Sequence, residues 1–293
     1  MSDQFSNIKV LVTGAGGQLG QCISKIEDVY SKLELHFASS KNLGITKKKD
    51  IQSFFADRSF DFVINCAAYT NVEQAEREPE KAFKVNAEGV KNLAEICRDY
   101  NATLIHISTD YVFDGEKRTP YTVEDTPNPI NQYGKSKLAG EKHVQDILEK
   151  YFIIRTSWLY SEFGKNFYKT ILEKSKTEAE LTITTSEIGT PTNANDLAKF
   201  ILKLIQSSST RYGIYHFSNR GEATWYDFAE EILRILNKLD TIKLEKTDNY
   251  STFVARPKYS VLDVTKVIRR CNFNVLSWQE RLKTIKIDSV LKK

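Results

Sequence analysis

The sequence predicts an α/β protein with a doubly wound parallel sheet and a smaller, interleaved C-terminal domain that binds substrate. Three observations favour this fold class. Short β-rich runs alternate with helical periodicity over the first half of the chain. A glycine-rich turn directly follows the first of these runs, and the alternation becomes irregular after about residue 160. A chain of 293 residues is also long enough for two domains that share a cleft.

The first element is a buried strand, Ile8–Thr13, which runs directly into a glycine turn and a helical pattern through Ile23, Ile26 and Val29. Glycines at this spacing let the backbone turn tightly and approach a pyrophosphate, whose charge is met by the N–H groups at the helix start. The turn therefore predicts a Rossmann-type dinucleotide site. Its expected cofactor contacts are Gly14, Gly17, Gln18, Leu19 and Gly20.

The second strand, Leu33–Ala38, ends where a dinucleotide fold reads the adenosine ribose. A site that prefers NAD usually places Asp or Glu there, and none occurs between Leu35 and Thr46. The segment Ser39-Ser40-Lys41 would instead suit a 2′-phosphate. We therefore expect NADPH as the cofactor, with NADH also allowed.

The third strand is predicted at 61–68, and its last residues are small. Ala67 and Ala68 leave room for a cofactor to pass over the sheet, and Tyr69 follows them. A helix begins at Pro79 and contains Asn86, for which we expect a structural role as a buried amide. The expected cofactor contacts of this strand end are Ala67, Ala68 and Tyr69.

The fourth strand, predicted at 102–109, ends in hydroxyl residues and leads to a candidate catalytic group. Tyr133 and Lys137 lie one turn apart on a predicted helix, where the ammonium would lower the pKa of the phenol. Tyr133 could then donate a proton to a carbonyl oxygen, and Thr109 would hydrogen-bond the same oxygen. The pattern therefore predicts a site that polarises a carbonyl group for attack by a hydride. Tyr133 and Lys137 are also expected to contact the cofactor.

The fifth strand, predicted at 152–160, places Trp158 at its carboxyl end, where an aromatic face could pack on a sugar ring. Beyond it the pattern changes to short strands and helices. We expect residues 1–160 to form the dinucleotide-binding domain, completed by about 192–218. Residues 161–191 and 219–293 would then form the substrate-binding domain.

Six stretches carry a resemblance to a known family. They are Ser108-Thr-Asp-Tyr-Val-Phe-Asp-Gly115, Tyr133-Gly-Lys-Ser-Lys137, Arg155-Thr-Ser-Trp158, Gly164-Lys-Asn-Phe167, Gly189-Thr-Pro-Thr192 and Ala255-Arg-Pro257. In this order they resemble the dTDP-4-dehydrorhamnose reductase family of the extended short-chain dehydrogenase/reductase superfamily. The resemblance implies reduction of the 4-keto group of a nucleotide-linked 6-deoxy sugar by NADPH or NADH.

The resemblance also implies roles for individual residues. Thr109, Tyr133 and Lys137 would be catalytic. Tyr111 and Trp158, with Thr109 and Asp110, would border the sugar, while Asn166 and Arg256 would lie near the nucleotide diphosphate, whose oxygens suit their donors. Some relatives bridge a homodimer through magnesium. Ser186-Glu187 replaces the Asp-Gln common in that family, so no metal site is predicted, although a homodimer is allowed.

Composition argues against several other classes of protein. With 42 basic and 38 acidic side chains the net charge is only +4, and no dense basic cluster predicts nucleic acid binding. The four cysteines and four histidines are scattered, so neither a disulfide framework nor a transition-metal site is expected. No apolar run approaches the ~18 residues of a membrane span. A cytoplasmic protein that does not bind membranes is the default expectation.

Two other functions remain open at this stage. One is a regulatory protein like the β subunit of methionine adenosyltransferase, which resembles the same reductases; the intact 155–158 and 164–167 segments favour the reductase. The other is an epimerase/reductase that acts on a UDP-sugar. Relatives that epimerise use Cys and His near the catalytic strand end, and between Ile107 and Lys142 there is neither.

Overall fold

The computed structural model describes residues 7–248 and 252–285, so the outermost parts of the predicted domains, 1–6 and 286–293, and the segment 249–251 lie outside the described residues. The strands are β1 (Ile8–Thr13), β2 (Leu33–Ala38), β3 (Phe62–Asn65), β4 (Thr103–Thr109), β5 (Tyr151–Thr156), β6 (Leu159–Tyr160), β7 (Glu180–Thr184), β8 (Ile188–Gly189), β9 (Thr192–Asn193), β10 (Gly213–His216), β11 (Ala223–Thr224) and β12 (Lys243–Thr247). The α-helices are α1 (Gln18–Lys25), α2 (Lys48–Ala56), α3 (Val72–Arg77), α4 (Pro79–Phe83), α5 (Gly89–Asp99), α6 (Gln132–Ile147), α7 (Phe167–Thr177), α8 (Ala194–Gln206), α9 (Trp225–Ile235), α10 (Thr265–Cys271) and α11 (Trp278–Lys283).

Six strands form a parallel central sheet in the order β10-β5-β4-β3-β1-β2. The strand order reverses between β1 and β3, where a doubly wound sheet opens a crevice at its carboxyl edge. The register brings strand ends to that edge together, because Thr13 pairs with Asn65 and Thr109 pairs with Thr156. This sheet confirms the predicted fold class.

Both faces of the sheet are covered by helices, which explains its continuous apolar runs. On one face, Val12 and Ile105 pack with Leu197 and Phe200 of α8 in a single buried cluster. On the other face, the buried cluster contains residues of α2, α5 and α6, such as Val144. The strands are therefore fixed from both sides, and their ends are held rigidly at the carboxyl edge.

A further apolar cluster lies in the C-terminal half of the chain. It joins Tyr168 of α7, Phe228 and Ile232 of α9 and Trp278 of α11. The pairs β7·β12, β8·β11 and β6·β9 form small two-stranded sheets. This separate core agrees with a division of the chain into two domains, and the exact boundaries stay a prediction.

Three element boundaries differ from the sequence analysis. The first helix ends at Lys25 and a short 3₁₀ turn follows, so Val29 is 76% exposed rather than on an apolar face. The third strand ends at Asn65 because the chain then turns toward Tyr69, where it meets the Asn86 side chain. The predicted fifth strand divides into β5 and β6, because Trp158 has a left-handed backbone conformation with φ of 42°.

Candidate active site

A cleft of about 600 Å³ opens at the carboxyl edge of the central sheet. Many residues predicted from the sequence line it: Gly17, Gln18, Leu19, Ala68, Thr109, Asp110, Tyr111, Tyr133, Lys137 and Trp158. They come from the glycine turn, from the ends of the central strands, from α6 and from the segment after β5. The fold therefore gathers residues that are up to 208 positions apart in the chain (from 17 to 225) around a single cavity.

The glycine turn has the geometry of a phosphate-binding loop. Gly14 has φ of 66°, and a β-carbon there would lie 2.5 Å from the Ala67 amide nitrogen. A β-carbon on Gly20 would lie 2.6 Å from Ala15 Cα. Gly17 is the N-cap of α1 and supplies no side-chain hydrogen bond, so the first N–H groups of the helix stay available for an anion at the cleft.

Gln18 links the glycine turn to the C-terminal half of the chain. Its amide oxygen accepts hydrogen bonds from Ser161 Oγ at 3.0 Å and Asn166 Nδ2 at 2.8 Å, while its Nε2 donates to the Leu159 carbonyl at 3.1 Å. These contacts hold the segment after β6 against the start of α1. They fix one wall of the cleft.

The catalytic candidates on α6 are positioned by the start of that helix. Asn131 is the N-cap, and its side chain accepts from the Gly134 N–H at 2.9 Å. A β-carbon on Gly134 would lie 2.1 Å from the Tyr111 carbonyl oxygen, so α6 approaches the end of β4 more closely than another residue would allow. Tyr133 consequently comes close to Thr109, whose hydroxyl acts to lower the pKa of the phenol.

Burial controls the acidity of Tyr133 in this structure. It raises the pKa of Tyr133 to about 12, although the nearby Thr109 hydroxyl opposes the shift. The expectation that Lys137 lowers the pKa of Tyr133 is therefore wrong here. The Lys137 ammonium is turned toward the sheet, where it donates to the Ile107 carbonyl at 2.5 Å and lies 3.5 Å from His106 Nε2.

Lys137 itself is almost completely buried, with 2% of its surface exposed. Burial lowers its pKa to about 8, and the negative charge of Glu141 opposes that change. A lysine in this range changes its charge near neutral pH far more readily than a solvated one. The side chain is therefore suited to a site where charge and protons move.

Glu141 and Arg155 are site-supporting residues that the sequence analysis did not identify. Glu141 follows Lys137 by one turn and faces the sheet, where Ser108 Oγ donates to it at 2.5 Å. Arg155 of β5 forms a bidentate, fully buried ion pair with the same carboxylate at 2.7 and 3.0 Å. Tyr133, Lys137 and Glu141 thus form one i, i+4, i+8 stripe, and that spacing could have revealed Glu141.

The end of β4 adds two polar groups to the cleft. Thr109 Oγ1 donates to Asp110 Oδ1 at 3.0 Å, and burial raises the pKa of Asp110 to about 6. Tyr111 packs edge-to-face on Tyr133, with ring centroids 5.6 Å apart. Burial also raises the pKa of Tyr111, so its phenol remains protonated. Both residues lie where the sequence predicts them.

Trp158 lines the cleft in an arrangement that needs two further residues. Its indole stacks on Trp225 with ring centroids 3.6 Å apart and planes at 4°. A β-carbon on Gly189 would lie 2.5 Å from the Trp158 ring, so only glycine leaves room for the indole. Trp225 Nε1 donates to Glu187 at 3.0 Å. Trp225 is a further site residue that the sequence did not reveal, because nothing local links it to position 158.

Some predicted site residues do not line the cleft. Asn166 caps α7 through the Lys169 N–H, and its Nδ2 donates to Gln18 and to two carbonyls. Arg256 forms an ion pair with Glu73 at 3.3 Å. The other predicted residues outside the lining are Gly14, Gly20, Ser39, Ser40, Lys41, Ala67 and Tyr69. Their roles in binding stay predictions.

Asn86 has the structural role that its position suggested. It exchanges hydrogen bonds with the Tyr69 backbone at 2.8 and 3.0 Å and donates to Ser136 Oγ of α6 at 3.0 Å. It lies in a π-helical turn, Lys84–Glu88, between α4 and α5. The amide therefore ties the strand end after β3 to the helix that carries Tyr133.

Within residues 7–248 and 252–285, no group of three or more His, Cys, Asp or Glu side chains could hold a metal ion. The same part of the chain has no helix long and apolar enough to cross a membrane.

Comparison with known proteins identifies the family. The family model of the RmlD substrate binding domain matches residues 8–290. A dTDP-4-dehydrorhamnose reductase of Aggregatibacter actinomycetemcomitans is 37% identical over 288 residues, which cover 95% of this chain and 98% of the relative. The spore coat polysaccharide biosynthesis protein SpsK of Bacillus subtilis is 37% identical over 277 residues, which cover 94% and 95% of the two chains.

Solved structures give the same result. The dTDP-4-dehydrorhamnose reductase of Bacillus anthracis in complex with NADP superposes with a TM-score of 0.91 and 37% identity, covering 96% of this chain and 99% of the other. A dTDP-4-dehydrorhamnose reductase of Clostridium acetobutylicum superposes with a TM-score of 0.90 and 39% identity, covering 97% of this chain and 100% of the other. By fold and by sequence, this chain belongs to the RmlD substrate binding domain family, which includes the dTDP-4-dehydrorhamnose reductases.

Proposed function

We propose that the protein is an NADPH-dependent reductase of the 4-keto group of a nucleotide-linked 6-deoxy sugar, namely dTDP-4-dehydro-L-rhamnose. The observation that carries the proposal is the convergence of Tyr133, Thr109 and Lys137 on one cleft beside the glycine turn. The relatives named dTDP-4-dehydrorhamnose reductase, with 34–37% identity over most of the chain, support the substrate. The product would be dTDP-L-rhamnose.

The residues around the glycine turn fit a dinucleotide. The N–H groups at the start of α1 can meet the pyrophosphate, because Gly17 and Gln18 line the cleft and the N-cap residue makes no competing side-chain bond. Ala68 offers a small surface beside them. Ser39, Ser40 and Lys41 follow β2, where the adenosine ribose and its 2′-phosphate would lie. The cofactor supplies a hydride to the carbonyl carbon.

The protein's own groups would act on the carbonyl oxygen. The Tyr133 phenol keeps its proton at neutral pH because burial raises its pKa, so it starts the reaction as an acid. Thr109 lies close to Tyr133 in the cleft, and its hydroxyl can stabilise the oxygen as negative charge develops. Lys137 supplies a positive charge close by. Asp110, Tyr111 and Trp158 would orient the sugar, with Asn166 and Arg256 nearer the diphosphate.

The two alternative functions receive less support. A purely regulatory protein has no need for hydroxyl, phenol and ammonium groups around one cleft. An epimerase needs an acid and a base beside the ketone, and the one cysteine that lines the cleft, Cys66, has its pKa raised to about 12 by burial. Reduction of a sugar that has already been epimerised is therefore the proposed reaction. The proposal includes a cytoplasmic location and allows a homodimer.

The test is oxidation of NADPH, followed at 340 nm, with dTDP-4-keto-L-rhamnose and, separately, with its UDP analogue. We expect turnover with the dTDP-sugar and a lower kcat/KM with the UDP-sugar. Equal kcat/KM values for the dTDP-sugar and the UDP-sugar would contradict the proposed preference for thymidine. No turnover with either sugar, combined with tight binding to another enzyme, would support the regulatory alternative.

A further inference from the structure

A chain of buried polar side chains runs beneath the cleft and ends at the catalytic lysine. Thr13 Oγ1 donates to Asn65 Oδ1 at 2.8 Å, Asn65 Nδ2 lies 3.1 Å from His106 Nδ1, and His106 Nε2 lies 3.5 Å from Lys137 Nζ. None of the four residues is more than 2% exposed. Thr13 and Asn65 are the last residues of β1 and β3, and His106 lies in the middle of β4 opposite Asn65, so the sheet itself holds the chain in place.

The hydrogen bonds fix the direction of this chain. Asn65 Oδ1 also accepts from the Ala67 backbone N–H at 3.2 Å, and a backbone N–H can only donate. The amide therefore points its oxygen toward Thr13 and Ala67 and its Nδ2 toward His106. Because Nδ2 can only donate, His106 Nδ1 must accept, and the proton of the neutral ring lies on Nε2. Burial keeps the ring neutral, since it lowers the pKa of His106 well below the ordinary value.

The tautomer places a hydrogen-bond donor against Lys137. An ammonium group also has only donors, so the contact with His106 Nε2–H is favourable only when Lys137 is an uncharged amine. The other groups that face Lys137 act in the opposite direction. Glu141 on the same helix favours the ammonium, and the Ile107 carbonyl accepts from it at 2.5 Å. Cys66 after β3 also faces Lys137, but burial raises the pKa of its thiol to about 12 and it stays uncharged near neutral pH.

We propose that His106 is a positioning residue for the catalytic lysine. Its Nε2–H, fixed by Asn65 and Thr13, favours the amine form of Lys137. It therefore opposes the effect of the Glu141 carboxylate, which favours the ammonium form. The proposal deepens the proposed function, because the charge of Lys137 matters only if that side chain serves the cofactor and Tyr133. His106 needs no contact with either ligand to act in this way.

The tautomer can be measured without any substrate. Protein labelled with ¹⁵N-histidine would be studied by long-range ¹H–¹⁵N NMR between pH 5 and 9, and the His106 signals would be assigned by their loss in His106→Gln. We expect a protonated Nε2 and an unprotonated Nδ1 that do not titrate over this range. A proton on Nδ1, or titration of the ring between these pH values, would overturn the proposal whether or not the protein is a reductase.

The second test is the pH dependence of NADPH binding, measured by fluorescence titration. The glutamine introduced by His106→Gln would present a carbonyl oxygen that accepts from the ammonium, so the alkaline loss of affinity should move upward by about one pH unit. His143→Gln, the same substitution at a histidine of α6, should leave the pH at which affinity is lost unchanged. If folded His106→Gln loses affinity for NADPH at the same alkaline pH as the wild type, the proposal is contradicted. Failure of the wild-type protein to bind NADPH at any pH would instead contradict the proposed function, and the NMR measurement would then decide the role of His106.

Discussion

Burial acts in opposite directions on the pKa values of Tyr133 and Lys137, the two side chains of α6 that we propose as catalytic. It raises the pKa of Tyr133 to about 12 and lowers the pKa of Lys137 to about 8, because it disfavours the charged form of each group. Tyr133 is therefore a protonated acid over the whole neutral range. Lys137 is the group of the pair whose charge responds to pH near neutrality.

The two lysines of the Tyr133-Gly-Lys-Ser-Lys137 segment provide a matched comparison. Lys137 is buried, whereas Lys135 is exposed and turned away from the cleft. Lys137→Met should lower kcat and raise the Kd for NADPH by about tenfold to a hundredfold, the value of a hydrogen bond to a charged group. Lys135→Ala should change both quantities less than twofold. Steady-state kinetics would measure kcat, and fluorescence titration would measure the Kd. If both variants folded and were equally inactive, the assignment of Lys137 rather than Lys135 to the site would be wrong.

Lys41 is predicted to read the 2′-phosphate of the cofactor. It is exposed after β2, and no acidic residue lies between Leu35 and Thr46 to bind a ribose 2′-hydroxyl. Lys41→Ala should lower kcat/KM for NADPH about tenfold and leave the value for NADH unchanged. Lys49→Ala, which removes another exposed lysine, serves as the control. If the ratio of the two kcat/KM values stayed the same in Lys41→Ala, another group would read the phosphate.

At the scale of elements, α6 is the helix on which the site depends. It packs closely on the π-helical turn, and a β-carbon on Gly140 would lie 2.1 Å from the Asn86 carbonyl oxygen. On the opposite side its carboxylate at Glu141 pairs with Arg155 of β5. These contacts set the distance between α6 and the sheet, and with it the positions of Tyr133 and Lys137.

Gly140→Ala tests this close approach. Alanine usually favours a helix by about 1 kcal/mol over glycine, but here the added methyl group overlaps a backbone oxygen. We expect a net loss of about 1–3 kcal/mol in the free energy of unfolding, together with a lower kcat. Urea denaturation would measure the first quantity. Gly44→Ala is the control, because its β-carbon would meet only Asp50 Oδ2 at 3.7 Å; a Gly140→Ala protein as stable as the wild type would contradict the packing argument.

Sequence patterns predicted the elements better than their connections. The bounds of β1 and β2 agree with the prediction, because an apolar run bordered by turn residues determines such strands locally. The Tyr133 helix also agrees. Trp225 was missed as a site residue because its partner, Trp158, is brought to it only by the tertiary fold. The spacing of Glu141 after Tyr133 and Lys137 could have revealed it, but its pairing with Arg155 depends on the tertiary fold. The charge of Lys137 likewise depends on burial, which sequence spacing does not reveal.

At the scale of the whole molecule, buried histidines link stability to pH. His216 of β10 is fully buried, where its Nδ1 bonds the Tyr121 carbonyl at 2.9 Å, and burial together with the nearby Arg155 charge lowers its pKa to about 3. Because the folded-state pKa is lower than the unfolded value of about 6.5, the unfolded state binds the proton first. The contribution of His216 to stability is therefore complete above pH 6.5 and is lost as the pH falls toward 3.

His216→Asn should remove this dependence while its amide keeps a donor for the Tyr121 carbonyl. Between pH 6.5 and 5, protonation of this one residue in the unfolded state should cost the wild-type protein about 2 kcal/mol. Between the same two pH values, the free energy of unfolding of the variant should fall by about 2 kcal/mol less than that of the wild type. Urea denaturation at both pH values would measure it. His143→Asn should behave like the wild type. Parallel losses in His216→Asn and wild type would show that His216 is not neutral in the folded protein.

The central claim is that Tyr133 is the acid that protonates the sugar oxygen in the cleft, and Tyr133→Phe tests it most directly. The change removes the hydroxyl and keeps the ring that packs against Tyr111. With dTDP-4-keto-L-rhamnose and NADPH, kcat should fall by about 10² to 10⁴, while the Kd for NADPH changes less than threefold. A folded Tyr133→Phe enzyme that retains the wild-type kcat would contradict the account.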